Sequence, residues 1–160
     1  FTANKQMPLQ DVAQTASGGE IARVMLTLKA LIAQKRNLPT IIFDEIDTGV
    51  SGTMAERMGR VMQRMGQSAQ VLCITHLPQI AALGKVHFWV HKQENDTGTT
   101  SNIRALSADE RVQEIANMLS GAAITEAALT NARQLLDEGA QLFSPNSLLK
   151  EDEEQINYRN

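Results

Sequence analysis

Ile41-Ile42-Phe43-Asp44-Glu45, set between Pro39 and the loop Asp47-Thr48-Gly49-Val50-Ser51-Gly52, is the stretch on which the fold turns. Three apolar residues in a row, with no polar alternation, mark a strand covered on both faces, as in parallel sheets. Two carboxylates end it. In an open α/β sheet, ligands bind at that edge. There one carboxylate can hold magnesium through water, while its neighbour orients or deprotonates an attacking water. Phosphoryl transfer needs both jobs, because its difficulty lies in charge and positioning. Taken alone, the pair can equally be an acidic strand end that caps the following loop.

Working outward, Ala55, Met58, Val61, Met62 and Met65 recur at helical spacing, and Gly66 and Ser68 close that helix. The methionines read as core filling. Val71-Leu72-Cys73-Ile74 is a second buried strand, ending at Thr75-His76, with Pro78 suited to open a short helix. Strand, helix and strand at this spacing predict a right-handed βαβ crossover. It sets His76 on the same sheet edge as Asp44 and Glu45.

Upstream, Ser17-Gly18-Gly19-Glu20 opens a helix whose apolar stripe is Ile21, Val24, Met25, Leu28, Leu31 and Ile32, and which fades near Arg36-Asn37. Ser17 and Glu20 make a capping box. The box does not explain two glycines, poor helix formers, in the first turn. Residues without side chains there let an anion approach bare N–H groups at a positive helix end. Residues 1–16, with Pro8, read as a short extended piece and a loop.

Downstream, the segments from Val86 to Lys92 and from Thr100 to Leu106 predict a hairpin turning at Asn95-Asp96-Thr97-Gly98. His87 and His91 stand about 13 Å apart along one strand, too far to share a metal, and read as surface positions. Ser107 and Glu110 form a second capping box ahead of Val112, Ile115, Ala116 and Leu119, a helix ended by Gly121. Thr125 caps a last helix with Ala128, Ala132, Leu135 and Leu136 on its stripe, and Ile124 and Leu129 placed as a hydrophobic staple. Residues 139–160, with the acidic run from Lys150 to Glu154, read as a flexible tail.

The bulk numbers bound the function. A chain of 160 residues, 42% hydrophobic and 21% charged, can bury a real core. A net charge of -3 excludes a basic nucleic-acid-binding module. No apolar run is long enough to span a membrane, and no leader pattern is present. Cys73 is the single cysteine, which excludes an internal disulfide framework and fits a reducing cytoplasm. Opening on Phe1 rather than Met, the chain is expected to be a piece of a longer protein.

In order and spacing these parts resemble an ABC-type ATPase head. Ala16-Ser17-Gly18-Gly19-Glu20 is similar to the signature motif, Ile41 to Glu45 to the Walker B strand, Asp47 to Ser51 to the D-loop, and His76 to the switch histidine. Each is weak alone; four in order within about 60 residues are specific. Glu20 stands where transporter ATPases usually carry Gln, and the runs Phe43 to Gly52 and Cys73 to Gln79 are similar to the SMC-like proteins of bacterial double-strand-break repair. The similarity covers residues 1–138; Ala16 departs from the usual leucine.

The resemblance implies an α/β fold: the C-terminal lobe of a P-loop head, with a mainly parallel sheet flanked by helices, then a hairpin and helices. It implies ATP and Mg2+ as cofactors and a dimer of heads, each nucleotide lying between one head's phosphate loop and the other's signature motif. Ser17, Gly18, Gly19 and Glu20 then serve the partner's ATP. Asp44 supports magnesium, Glu45 activates water, His76 contacts the γ-phosphate, and Asp47 links the two sites. The sequence holds no G-x-x-x-x-G-K-[ST], which in this family lies in the N-terminal half. That half is therefore an implied partner, and the chain alone is expected to be inactive. DNA is met through other parts of a cytoplasmic, nucleoid-associated protein. Two rivals stay open: half of a transporter ATPase, and a non-enzymatic dimerisation module.

Overall fold

The computed structural model describes residues 17–95, 98–121 and 123–141. The expectations for residues 1–16, for the turn residues 96 and 97, and for the tail beyond 141 lie outside the described residues. The chain divides into two compact units, one ending at Ile80 and the other starting at Ala81.

The first unit runs α1 (Gly18–Arg36), β1 (Thr40–Asp44), α2 (Gly52–Met65), β2 (Gln70–Ile74) and the single turn α3 (Pro78–Ala81), whose last residue belongs to the second unit. α1 ends where Asn37 takes the left-handed conformation, φ 49, and the Asn37 and Leu38 N–H groups both donate to the Ala33 carbonyl. Asparagine tolerates that conformation better than most residues. β1 and β2 pair in parallel, from Thr40 opposite Gln70 to Asp44 opposite Ile74, with α2 as the connection. Alternation along β1 turns Ile41 and Phe43 inward. They meet Leu26 and Ala33 of α1, Ala55, Met58 and Met62 of α2, and Val50 and Ile80. Phe43 is entirely buried, so Phe43→Ala is expected to cost about 3–5 kcal/mol.

Two expectations about burial need correction. β1 is not covered on both faces, for Ile42 is 59% exposed, and Leu72 and Ile74 of β2 share its open face. The stripe of α1 is reversed: Ile21, Val24, Met25, Leu28, Leu31 and Ile32 are exposed, while Leu26 and Ala33 face the core. Periodicity shows which residues share a helix face, not which face meets the core. The α/β class is as expected, with a parallel pair followed by an antiparallel one among the described residues.

The second unit holds that antiparallel pair, β3 (Phe88–Asn95) and β4 (Gly98–Ala105), then α4 (Ala108–Ser120) and α5 (Glu126–Gln141). α5 runs through the expected domain boundary at 138. Its core is built from small residues, Ala82, Ala116, Ala128 and Ala132, around fully buried Ile115. Gly139 permits the tightest approach: a Cβ there would lie 2.6 Å from the Ala82 carbonyl oxygen. Thr125 caps α5 as expected, its hydroxyl accepting from Ala128 N–H at 3.1 Å.

His87 and His91 are half-buried rather than surface residues. Burial first, and the nearby Arg111 charge second, hold the His87 imidazole below its ordinary pKa, against the pull of the Ala81 and Gly84 backbone. His91 stacks on Trp89 with ring centroids 4.2 Å apart, and Arg104 lies 5.4 Å from the Trp89 ring centroid.

Candidate functional site

All the candidate site residues belong to the first unit, and the loop from Glu45 to Val50 ties them together. β1 delivers Asp44, exposed, to the end of the sheet opposite Ile74. The chain then breaks sharply. Glu45 has φ 45, a left-handed conformation that costs an L residue about 1–2 kcal/mol. Its N–H donates to the Ile74 carbonyl at 3.2 Å, and its own carbonyl accepts from the Thr48 N–H at 3.3 Å and hydroxyl at 3.0 Å. Backbone strain held by bonds from two directions is common where a side chain must be aimed.

Asp47 follows, and it has no exposed surface at all. Its Oδ2 accepts a hydrogen bond from the Thr75 hydroxyl, and Thr75 Oγ1 in turn accepts from the Leu77 N–H at 3.0 Å. The His76 Nδ1 stands 3.5 Å from the same oxygen, and the His76 side chain is 66% exposed. The carboxylate of Asp47 is turned inward, toward Thr75 and His76 of its own unit. The carboxylate also raises the Cys73 thiol, though burial is the larger cause; together they push it up to about 11. This fits the reading of Cys73 as a small hydrophobe packed on the core.

The other end of the loop meets the start of α1. Ser17 and Glu20 form the expected capping box: the Ser17 N–H donates to Glu20 Oε2 at 2.8 Å and the Glu20 N–H to Ser17 Oγ at 3.3 Å. The Ser17 backbone bond, then the Ser17 hydroxyl, hold the Glu20 carboxyl below its usual range. Gly19 is needed because the loop passes over it, for a Cβ on Gly19 would lie 2.8 Å from the Gly49 carbonyl oxygen. Gly49 itself has φ +75, which favours glycine. Around Gly18 a Cβ would meet nothing within 4 Å among the described residues. One glycine of the pair is thus explained by packing, and the other faces open space at a helix start, where backbone N–H groups lack partners of their own.

Asp44, Glu45 and His76 thus come to one end of the parallel pair, and Ser17 to Glu20 are joined to the same loop from the side. Sequence reasoning missed the Thr75 hydroxyl, the Gly19–Gly49 contact and the conformation of Glu45. The first two had a signal, in the hydroxyl residue before His76 and the glycines of both motifs; the third had none. Among the described residues no group of three or more His, Cys, Asp or Glu side chains could hold a metal alone. A site with one carboxylate suits magnesium, which keeps water and substrate phosphates as ligands. Among the described residues no helix is long and apolar enough to cross a membrane.

No protein-family model matches the chain. Individual proteins do. The chain is 42% identical over 135 residues to the DNA repair protein RecN of Vibrio cholerae, covering 84% of this chain and 24% of that protein. To RecN of Bacillus subtilis it is 39% identical over 142 residues, 89% of this chain and 25% of the relative. RecN of Deinococcus radiodurans is 43% identical over 136 residues, 85% and 24% of the two chains. The chain therefore spans about a quarter of the length of these relatives. In structure it is similar to a chain from work on ATP-driven dimerization and DNA-stimulated activation of SMC ATPases, with TM-score 0.56, 19% identity, and 72% of this chain and 68% of that one covered. Over the matched length this chain is similar to RecN proteins, and its fold is similar to that of the chain from SMC ATPases.

Proposed function

We propose that this chain is the C-terminal half of an ATPase head acting in DNA double-strand-break repair and recombination, and that it hydrolyses no ATP by itself. The observation that carries this reading is the loop Glu45–Val50. It joins an acidic strand end, a histidine and a bare helix start in one connected structure. The roles follow from chemistry. Asp44, exposed at the strand end, would hold hydrated magnesium, which when bound neutralises charge on the phosphates. Glu45 orients or deprotonates the attacking water. His76 offers an exposed ring edge to a phosphoryl oxygen. Ser17, Gly18 and Gly19 receive the γ-phosphate of a partner head's ATP at the positive start of α1, with Glu20 holding that start in shape. A link across paired heads by Asp47 would require its loop to open.

What this half lacks is as informative as what it has. The sequence holds no phosphate-loop lysine motif. The open sheet face of Ile42, Leu72 and Ile74, with the exposed stripe of α1, is the kind of surface a parallel sheet covers with more of its own protein. The reading therefore takes the N-terminal half as obligate partner, a second head as the dimer mate, and DNA as bound through other parts of the longer protein.

The test compares this chain, the chain fused to its N-terminal half, and that fusion carrying Glu45→Gln. The chain alone should show background hydrolysis. The fusion should turn over ATP, and Glu45→Gln should slow it by about 10²–10⁴ while paired heads accumulate. Normal turnover by this chain alone, or an unaffected Glu45→Gln, ends the proposal.

A further inference from the structure

Asp47 is the single buried charged side chain among the described residues, and it lies with Phe43 and Ile115 among the largest groups fully withdrawn from solvent. A carboxylate in that position is costly unless it is bonded, and the bonds it makes indicate what it is for. Oδ2 takes the Thr75 hydroxyl and lies 3.5 Å from His76 Nδ1; Oδ1 has no hydrogen-bond partner among the described residues. The Thr75 hydroxyl is committed on its other side, accepting from the Leu77 N–H at 3.0 Å, so its proton must point to Asp47. The arrangement has a direction: backbone N–H to hydroxyl, hydroxyl to carboxylate, and carboxylate facing an imidazole nitrogen. An acceptor-only carboxylate facing Nδ1 favours the ring with its proton there. The far nitrogen, Nε2, then keeps its lone pair in the exposed part of the side chain.

We infer that Asp47, with Thr75, is a positioning residue for His76: it fixes the tautomer carrying the proton on Nδ1 and holds Nε2 outward. The inference rests on the reading of His76 as phosphate-facing and deepens it. In its doubly protonated form a ring held in this way donates from Nε2 to a phosphoryl oxygen, with its charge between two negative ones, the phosphate and Asp47. The same loop carries Gly49, which packs on Gly19, so the residue that orients His76 is anchored at the start of α1.

The experiment is long-range ¹H–¹⁵N NMR of the imidazoles in this chain, where His87 and His91 serve as internal references among three histidines. His76 should carry its proton mainly on Nδ1 when neutral. Asp47→Asn puts a donor or a weaker acceptor beside Nδ1 and should return His76 toward the Nε2–H form. Thr75→Val should weaken the preference in the same direction, and Thr75→Ser should restore it, with His87 and His91 unmoved. Should Asp47→Asn fail to fold, the Thr75 pair decides alone. A wild-type His76 protonated on Nε2, or a tautomer indifferent to both positions, overturns the inference. In the fusion with the N-terminal half, Asp47→Asn should lower kcat at least about tenfold with KM little changed. An intact tautomer response in a fusion that hydrolyses no ATP upholds the positioning role and overturns the ATPase reading instead.

Discussion

Two helices of this molecule begin with the same device, and their difference separates capping from chemistry. α1 opens on Ser17-Gly18-Gly19-Glu20 and α4 on Ser107-Ala108-Asp109-Glu110. In both, the serine N–H donates to the glutamate at 2.8 Å and the glutamate N–H returns to the serine hydroxyl at 3.3 Å. Both serines have φ -68 with extended ψ. The box therefore works equally well around Ala-Asp, residues with ordinary side chains, and needs no glycine. Whatever selected Gly18-Gly19 lies outside the helix. For Gly19 that cause is the Gly49 carbonyl; for Gly18, nothing among the described residues supplies one.

Substitution at the glycines should sharpen this most. In the fusion with the N-terminal half, Gly18→Ala is expected to lower ATP turnover at least about tenfold, since a methyl group would stand where phosphate approaches backbone N–H groups. The same change should leave the fold as stable or stabilise it by up to about 1 kcal/mol, because alanine is the better helix former. Gly19→Ala should instead destabilise by about 1–3 kcal/mol, as its Cβ meets a backbone oxygen that cannot swing away. Asp109→Ala, the matching position in α4, should move stability by no more than about 0.5 kcal/mol. Denaturant unfolding of the three variants, with turnover of the Gly18 variant, checks the set. Equal behaviour of Gly18→Ala and Gly19→Ala would merge two roles that the structure separates.

The second prediction tests the shared part. Ser17→Ala and Ser107→Ala should each cost about 1 kcal/mol, the ordinary worth of an N-cap. A much larger loss at Ser17, seen in unfolding of this chain without any nucleotide, would mean that its hydroxyl holds more than the helix end.

How much of this was legible beforehand follows the same division. Local chemistry was: both capping boxes, the strand from Thr40 to Asp44, the hairpin, and the arrival of Asp44, Glu45 and His76 at one edge are fixed by residues near one another in sequence. Which surfaces are covered was not. Leu28 and Ile42 are apolar and periodic, yet exposed, because what an apolar face packs against is decided by distant residues. The Gly19–Gly49 contact joins positions 30 apart, and no spacing rule reaches that far. Asp47 shows the limit most clearly. Its place after β1 says nothing of where the carboxylate turns, and its neighbours, Thr75 and His76, come from the chain that follows the other strand of the pair.

The smallest expected effect turns the comparison toward pH, and its sign can be worked out. In the second unit His87 is held below its ordinary value of 6.5, by burial first and Arg111 second, so the fold prefers the neutral ring. The unfolded chain then binds the proton more readily, and stability from this group is complete above about pH 6.5 and lost as pH falls toward the lowered folded value. Glu20 and Glu110 behave differently. Their folded values lie below 4.5, through bonds from Ser17 in one case and from Ser107 and Arg104 in the other, so their contributions are present above about pH 4.5 and fade only below it. The two windows do not overlap at their upper ends. Thermal unfolding followed from about pH 8 down to about pH 5 should therefore show a modest decline that His87→Gln removes and that Glu110→Gln leaves in place. A decline unchanged in His87→Gln would shift the cause away from this ring, and with it the view that the second unit's half-buried histidine is held neutral by the packing around it.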